Sequence, residues 1–202
     1  MKTLLLLLFL VTQALAQFEE KGPAPAFYAE VKKVITTLSQ QDDFDERTDN
    51  KMRTLANKGA AVIPALVKIF KEDSGSRSRG SVIAFLEYTH ADISPAIGAI
   101  EEALKKDLAA WSDRYWTGQA ISLVSKRNAT LGREFALVAL RHSTESLVQS
   151  AAIDSLQNSG KTEDVPVLQE FAERIRSKSS YSANLAIKAQ KAATTLQNRV
   201  AK

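Results

Sequence analysis

Apolar residues recur along this chain with a helical period almost from end to end. Phe27, Val31, Val34, Ile35 and Leu38 stand three or four residues apart, which puts them on one stripe of an opening helix. The same spacing predicts helices over Asp45 to Lys58, Ala61 to Glu72, Ser78 to Tyr88, Ser94 to Lys106, Asp113 to Lys126, Thr130 to His142, Glu145 to Asn158, Asp164 to Lys178 and Ser182 to Val200. Ser94, Ser112, Ser143 or Thr144, and Ser182 are the expected N-caps, because a side-chain oxygen there can accept an unpaired backbone N–H of the first turn. No segment alternates with period two, and no Asn-Gly or Asp-Gly pair marks a hairpin. The pattern therefore predicts an all-α fold.

One apolar stretch has a different character. Leu4 to Val11 is unbroken, follows Lys2, and leads to Ala14-Leu15-Ala16. A positive start, a short apolar run and a small-x-small ending are what a signal peptidase reads. Cleavage is expected between Ala16 and Gln17, with the mature protein periplasmic or secreted. The run is shorter than the about 20 residues that a membrane-spanning helix needs. Gln17 to Ala26 holds Gly22, Pro23 and Pro25 among charges and reads as a flexible linker. Residues 27–202 remain for the folded domain.

The helices repeat in pairs. Lys51-Met52-Arg53-Thr54-Leu55 aligns with Val82-Ile83-Ala84-Phe85-Leu86, Ala120-Ile121-Ser122-Leu123-Val124, Ala152-Ile153-Asp154-Ser155-Leu156 and Ala192-Ala193-Thr194-Thr195-Leu196. The second and fifth columns are apolar or small in every copy. Nine residues past Leu55 stands Pro64, nine past Leu86 stands Pro95, and ten past Leu156 stands Pro166. Each proline is followed by an apolar run, and proline suits a first helical turn because its missing N–H would be unpaired there. The third unit departs from this, with Gly132-Arg133-Glu134 at the proline position. A lone helical hairpin of roughly 30 to 40 residues cannot cover its own apolar face, so such units stack.

These residues resemble the HEAT-repeat family, particularly the short bacterial kind found in phycobilisome lyase subunits. Leu55-Ala56-Asn57-Lys58-Gly59-Ala60-Ala61-Val62-Ile63-Pro64-Ala65-Leu66 is similar to the family's turn, as is Ala151 to Leu156 through Gly160 to Val165-Pro166-Val167-Leu168. The resemblance spans about residues 46 to 202. It implies a short right-handed α-solenoid of four to five helical hairpins, with an extra N-terminal helix. The family includes scaffolds, peptide binders, nucleic-acid binders and enzymes, so the likeness bears on architecture and not on function.

Composition narrows the function classes. The chain has no cysteine, so outside the cytoplasm its stability must come from packing alone, which points to a bacterial host more than to a disulfide-stapled animal module; lipid attachment through a cysteine after the cleavage site is excluded. A formal net charge of +4 falls mainly on the second half and is far below the dense basic surface of a nucleic-acid binder.

Candidate chemistry is sparse. The two histidines, His90 and His142, fall at a turn and at a helix end, where a cation suits the dipole; no metalloprotease, nucleophile-elbow or phosphate-loop motif accompanies them. The acidic run Asp42 to Asp49 has Arg47 and Thr48 where a calcium loop begun at Asp43 would need an oxygen ligand and a glycine, so it reads as an acid-rich helix start. No cofactor and no metal is expected. Trp111, Tyr115 and Trp116 are the one dense aromatic cluster; Tyr115 and Trp116 share the register of Leu147 and Val148 and are expected in the core between repeats, leaving Trp111 as a candidate partner contact. Arg77 and Arg79, in a Ser-Gly-rich stretch, could grip a carboxylate or phosphate bidentately. Arg174, Arg176 and Lys178 close a helix and suit its C-terminal carbonyls. Asn128-Ala129-Thr130 is a formal glycosylation acceptor, usable only in a eukaryotic secretory pathway.

The expectation is a non-catalytic module outside the cytoplasm that holds a protein or peptide on the curved repeat surface. A lyase-like or hydrolytic enzyme of the HEAT class is the alternative, resting on analogy with the phycobilin lyases, with His142, Asp113 and Arg114 as its residues. A HEAT-like nucleic-acid binder comes third.

Overall fold

The computed structural model describes residues 23–40, 46–109, 115–176 and 180–199. Among them are ten α-helices and no strand: α1 Pro25–Gln40, α2 Glu46–Ala56, α3 Ile63–Glu72, α4 Ser76–Tyr88, α5 Ser94–Ala109, α6 Tyr115–Arg127, α7 Ala129–His142, α8 Ser146–Ser159, α9 Val165–Ile175 and α10 Ser180–Arg199. Each expected helix is present, with ends displaced by a few residues. The fold is all-α.

The periodic positions became the core. Met52, Leu55, Ile83, Leu86, Ile121, Val124, Ile153, Leu156, Ala193 and Leu196, the two apolar columns of the alignment, are all at most 2% exposed. Pro64, Pro95 and Pro166 stand exposed in the first turns of α3, α5 and α9. Two of those starts are more elaborate than periodicity predicts. Short 3-10 turns, Gly59–Val62 and Thr162–Asp164, precede α3 and α9, because the chain is still tightening into i→i+3 bonds before the proline. Gly59 adopts φ 63°, the left-handed region that lets α2 end and the chain turn back without a Cβ penalty.

Packing joins consecutive helices, most extensively α7 with α8 and α9 with α10, and also helices two apart in sequence. α2 lies on α4, α4 on α6, α6 on α8 and α8 on α10, while α3 lies on α5, α5 on α7 and α7 on α9. α1 packs on α2, α3 and α4 through Val31, Ile35 and Leu38. Leu147 departs from the register expectation. Trp116 and Val148 are buried as expected, whereas Leu147 is 55% exposed. The cause is a close backbone approach: a Cβ at Gly118 would lie 3.2 Å from the Leu147 carbonyl oxygen, so α6 touches the first turn of α8 through main chain and the Leu147 side chain is left outside. Tyr115 belongs to α6, but its side chain lies outside the described residues.

At the position where the other hairpins have proline, the third has Arg133, which makes an ionic link to the turn before α9. Arg133 Nε donates to Asp164 Oδ2 at 2.7 Å, and its Nη2 donates to Asp164 Oδ1 at 2.6 Å and Glu163 Oε1 at 2.5 Å. Asp164 is 2% exposed and also accepts the Lys161 N–H at 2.8 Å. These carboxylates push the Arg133 guanidinium pKa above its ordinary value, with the Asp164 hydrogen bonds the largest cause. With no proline to fix a start, α7 begins earlier, where Asn128 caps it by accepting the Leu131 N–H at 3.1 Å.

Cap assignments shifted at the other helices. Asp92 Oδ1 accepts the Ser94 N–H at 2.9 Å and its hydroxyl at 2.6 Å, so Ser94 opens α5 instead of capping it; these bonds hold the Asp92 carboxyl below its usual pKa. Glu145 occupies the N-cap of α8, and the Ser143 hydroxyl accepts its N–H at 3.2 Å. Ser182 lies inside α10, and Ser112 lies outside the described residues.

Candidate functional site

The packing of α2 against α4 leaves a cleft beside their C-terminal ends. The C-terminal turn of α2 supplies Arg53 and Asn57, the turn into α3 supplies Gly59 and Ala60, and the end of α4 with the following loop supplies Glu87, Tyr88 and His90. Its volume is 980 Å³. Tyr88 is 45% exposed, one of three large hydrophobic side chains so exposed among the described residues. Lys126 Nζ, from α6, donates to Glu87 Oε1 at 2.9 Å. Tyr88, on the exposed side of α4, and Asn57, just past the end of α2, gave no signal by hydrophobic period.

The residues singled out in the sequence are scattered. Trp111, Asp113 and Arg114 lie outside the described residues. Arg77 is exposed in the first turn of α4. Arg79 is turned inward: its guanidinium lies 5.0 Å from the Phe70 ring centroid and 5.1 Å from that of Trp116, and Nε donates to the Phe70 carbonyl at 3.4 Å. The two rings meet edge to face at 5.5 Å. This cation–π arrangement ties α3, α4 and α6 together, and it gives Arg79 an internal role that residue type alone did not reveal.

His90 belongs to the cleft wall; His142 is exposed in the last turn of α7. The α7 terminus is served from elsewhere, because Arg174 of α9 donates to the carbonyls of Leu140 and Arg141. Arg199 of α10 likewise donates to the carbonyls of Gln157 and Gly160 at the end of α8. The expectation that Arg174 serves its own helix is thus corrected: the terminal carbonyls of a neighbouring helix are the nearer acceptors. The acidic run is helical from Glu46 onward, and Asp42, Asp43 and Asp45 lie outside the described residues. Among the described residues no group of three His, Cys, Asp or Glu side chains is placed to hold a metal ion, and no helix is long and apolar enough to cross a membrane.

The cleft is lined by Arg53, Asn57, Tyr88 and His90 together with the small side chains of Ala56, Ala60 and Ala91. No protein-family model matches the chain, and neither curated proteins nor solved structures give a match.

Proposed function

We propose that this chain is a non-catalytic binding or scaffolding module that works outside the cytoplasm, as an exported protein of the HEAT-repeat type. In this reading the helices form a short right-handed solenoid, and a protein or peptide is held on its curved repeat surface. The observation that carries it is the packing of every helix from α2 to α8 on the next but one. Stacked hairpins generate that order, and stacked hairpins expose extended faces suited to a chain-like partner. The ten buried register positions support the same reading.

Site-specific photo-crosslinking in the native host tests it. A photoreactive residue is placed in turn at Glu102 of α5, Glu134 of α7 and Gln169 of α9, all exposed. A common partner protein crosslinked from neighbouring sites is the expected result. Absence of any crosslink at all three, in cells where deletion of the gene has a phenotype, would remove the support for a binding role.

A further inference from the structure

The binding role just proposed leaves open what is bound and where, and a second concavity bears on both. The first two helices pack on each other and leave a groove of 460 Å³ between them. α1 lines it from Glu30 to Thr37 and α2 from Asn50 to Leu55. At a rise of 1.5 Å per residue the longer wall runs about 10 Å, room for about three residues of extended chain. Val34, half-buried, and Leu55, 2% exposed, make its floor apolar. A small apolar concavity with a few polar groups at its rim is the form that binding sites take.

Charge selects the occupant. Lys33 and Lys51, both exposed, bring one ammonium to each wall. The carboxylate of Glu30 on the same walls is already taken, because Lys58 Nζ donates to its Oε1 at 3.1 Å and its Oε2 at 3.0 Å. The neighbouring cations are engaged too: Lys58 lies 5.0 Å from the Phe27 ring centroid and Lys32 5.6 Å from that of Tyr28. Lys33 and Lys51 differ, since neither ammonium makes a hydrogen bond, an ion pair or a ring contact among the described residues. The described walls therefore keep two uncompensated positive charges. Like charges lining one groove repel, and an entering carboxylate relieves that repulsion while its own charge is met from both sides. Two cations are too few to hold a phosphate backbone, whose binding draws on many. The apolar floor beside them suits a carbon side chain, which a bare inorganic anion lacks. We propose, resting on the binding reading above, that the groove between α1 and α2 seats a short acidic segment of a partner protein. Its carboxylate meets Lys33 and Lys51, and an adjacent apolar side chain lies on Val34 and Leu55.

The test uses the folded chain against a displayed library of random dodecapeptides, followed by binding of one selected synthetic peptide measured by fluorescence anisotropy. Selected sequences are expected to be richer in Asp and Glu than the input. Lys33→Glu and Lys51→Glu each replace an attraction by a repulsion and should weaken the synthetic peptide by at least about fivefold. Lys106→Glu, which makes the same change of net charge at an exposed position on α5, should leave its affinity within about twofold. Circular dichroism confirms that each variant is folded. Selection of peptides without acidic enrichment, or a peptide that loses no more affinity to the groove variants than to Lys106→Glu, would overturn the proposal and leave peptide binding standing at another surface. Failure to select any peptide would overturn it too, and the crosslinking experiment then decides separately whether the module binds a protein.

Discussion

Replacing Arg133 by Met removes the ionic link between α7 and the turn before α9 while keeping the length of the side chain. The Arg133 side chain is 16% exposed and that of Asp164 3%, so the pair is shielded more than a surface salt bridge, whose worth is about 0 to 1 kcal/mol. Two charges some 4 Å apart attract by about 4 kcal/mol at an effective dielectric constant near 20. Desolvation offsets much of that attraction in the intact protein. In the variant, however, the Asp164 carboxylate stays buried with only the Lys161 N–H to serve it. Breaking one side of a buried pair costs about 3 to 5 kcal/mol; because Glu163 is exposed and water reaches Arg133 in part, the lower end applies. Urea unfolding at neutral pH should show Arg133→Met less stable by about 3 kcal/mol. Adding Asp164→Asn removes the stranded charge and keeps an acceptor for Lys161, so the double variant should recover most of the loss. A single-variant cost below about 0.5 kcal/mol, the behaviour of an exposed pair, would refute the claim that this link is shielded and holds α7 to the turn before α9.

Other consequences are separable. Leu156→Ala, at a position with no exposed surface, should cost about 2 to 5 kcal/mol in the same assay; a loss under about 1 kcal/mol would contradict its place in the core. Gly132→Ala puts a Cβ 2.4 Å from the Ser125 Cα, a main-chain contact that cannot rotate away, so destabilisation of about 1 to 3 kcal/mol is expected, and an unchanged midpoint would show that α6 and α7 are not so close. Tyr28 is pushed up to about 12 from 10.0, first by burial and then by its hydrogen bond to Glu72. Its raised folded value means a contribution to stability that is present below pH 10.0 and lost as the pH rises through about 12. Phenolate absorbance should show a late-titrating tyrosine that Tyr28→Phe removes; a single transition near the ordinary value would disprove the contact.

Local chemistry explains what was legible in the sequence. Apolar period, proline in a first turn and glycine in a reversal each act within a few residues, so α2 to α10 and the two buried columns could be read from residues alone. The features that were missed depend on distance in space. Leu147 is exposed because Gly118, 29 positions earlier, admits its backbone, and Arg174 bonds carbonyls 33 and 34 positions away. Arg79 looked like a surface cation, but its guanidinium lies over the touching rings of Phe70 and Trp116. For the cleft, the sequence did hold a clue: Tyr88 is the one aromatic in a column otherwise Asn or Lys. That column, two residues past the closing apolar position of each repeat and made of Asn57, Tyr88, Lys126, Asn158 and Asn198, becomes informative only once all five are known to face water.

The proposed row of stacked hairpins is most directly tested by distances between spin labels. Because the chain has no cysteine, single cysteines can be placed at Asn57, Lys126, Asn158 and Asn198 in pairs without altering a native thiol. Neighbouring helices pack at about 8 to 10 Å between axes, so the account predicts label distances that lengthen with each repeat, from about 10 Å between Lys126 and Asn158 to about 30 to 40 Å between Asn57 and Asn198. An Asn57 to Asn198 distance no longer than that between adjacent repeats would mean a closed bundle and would contradict the stack.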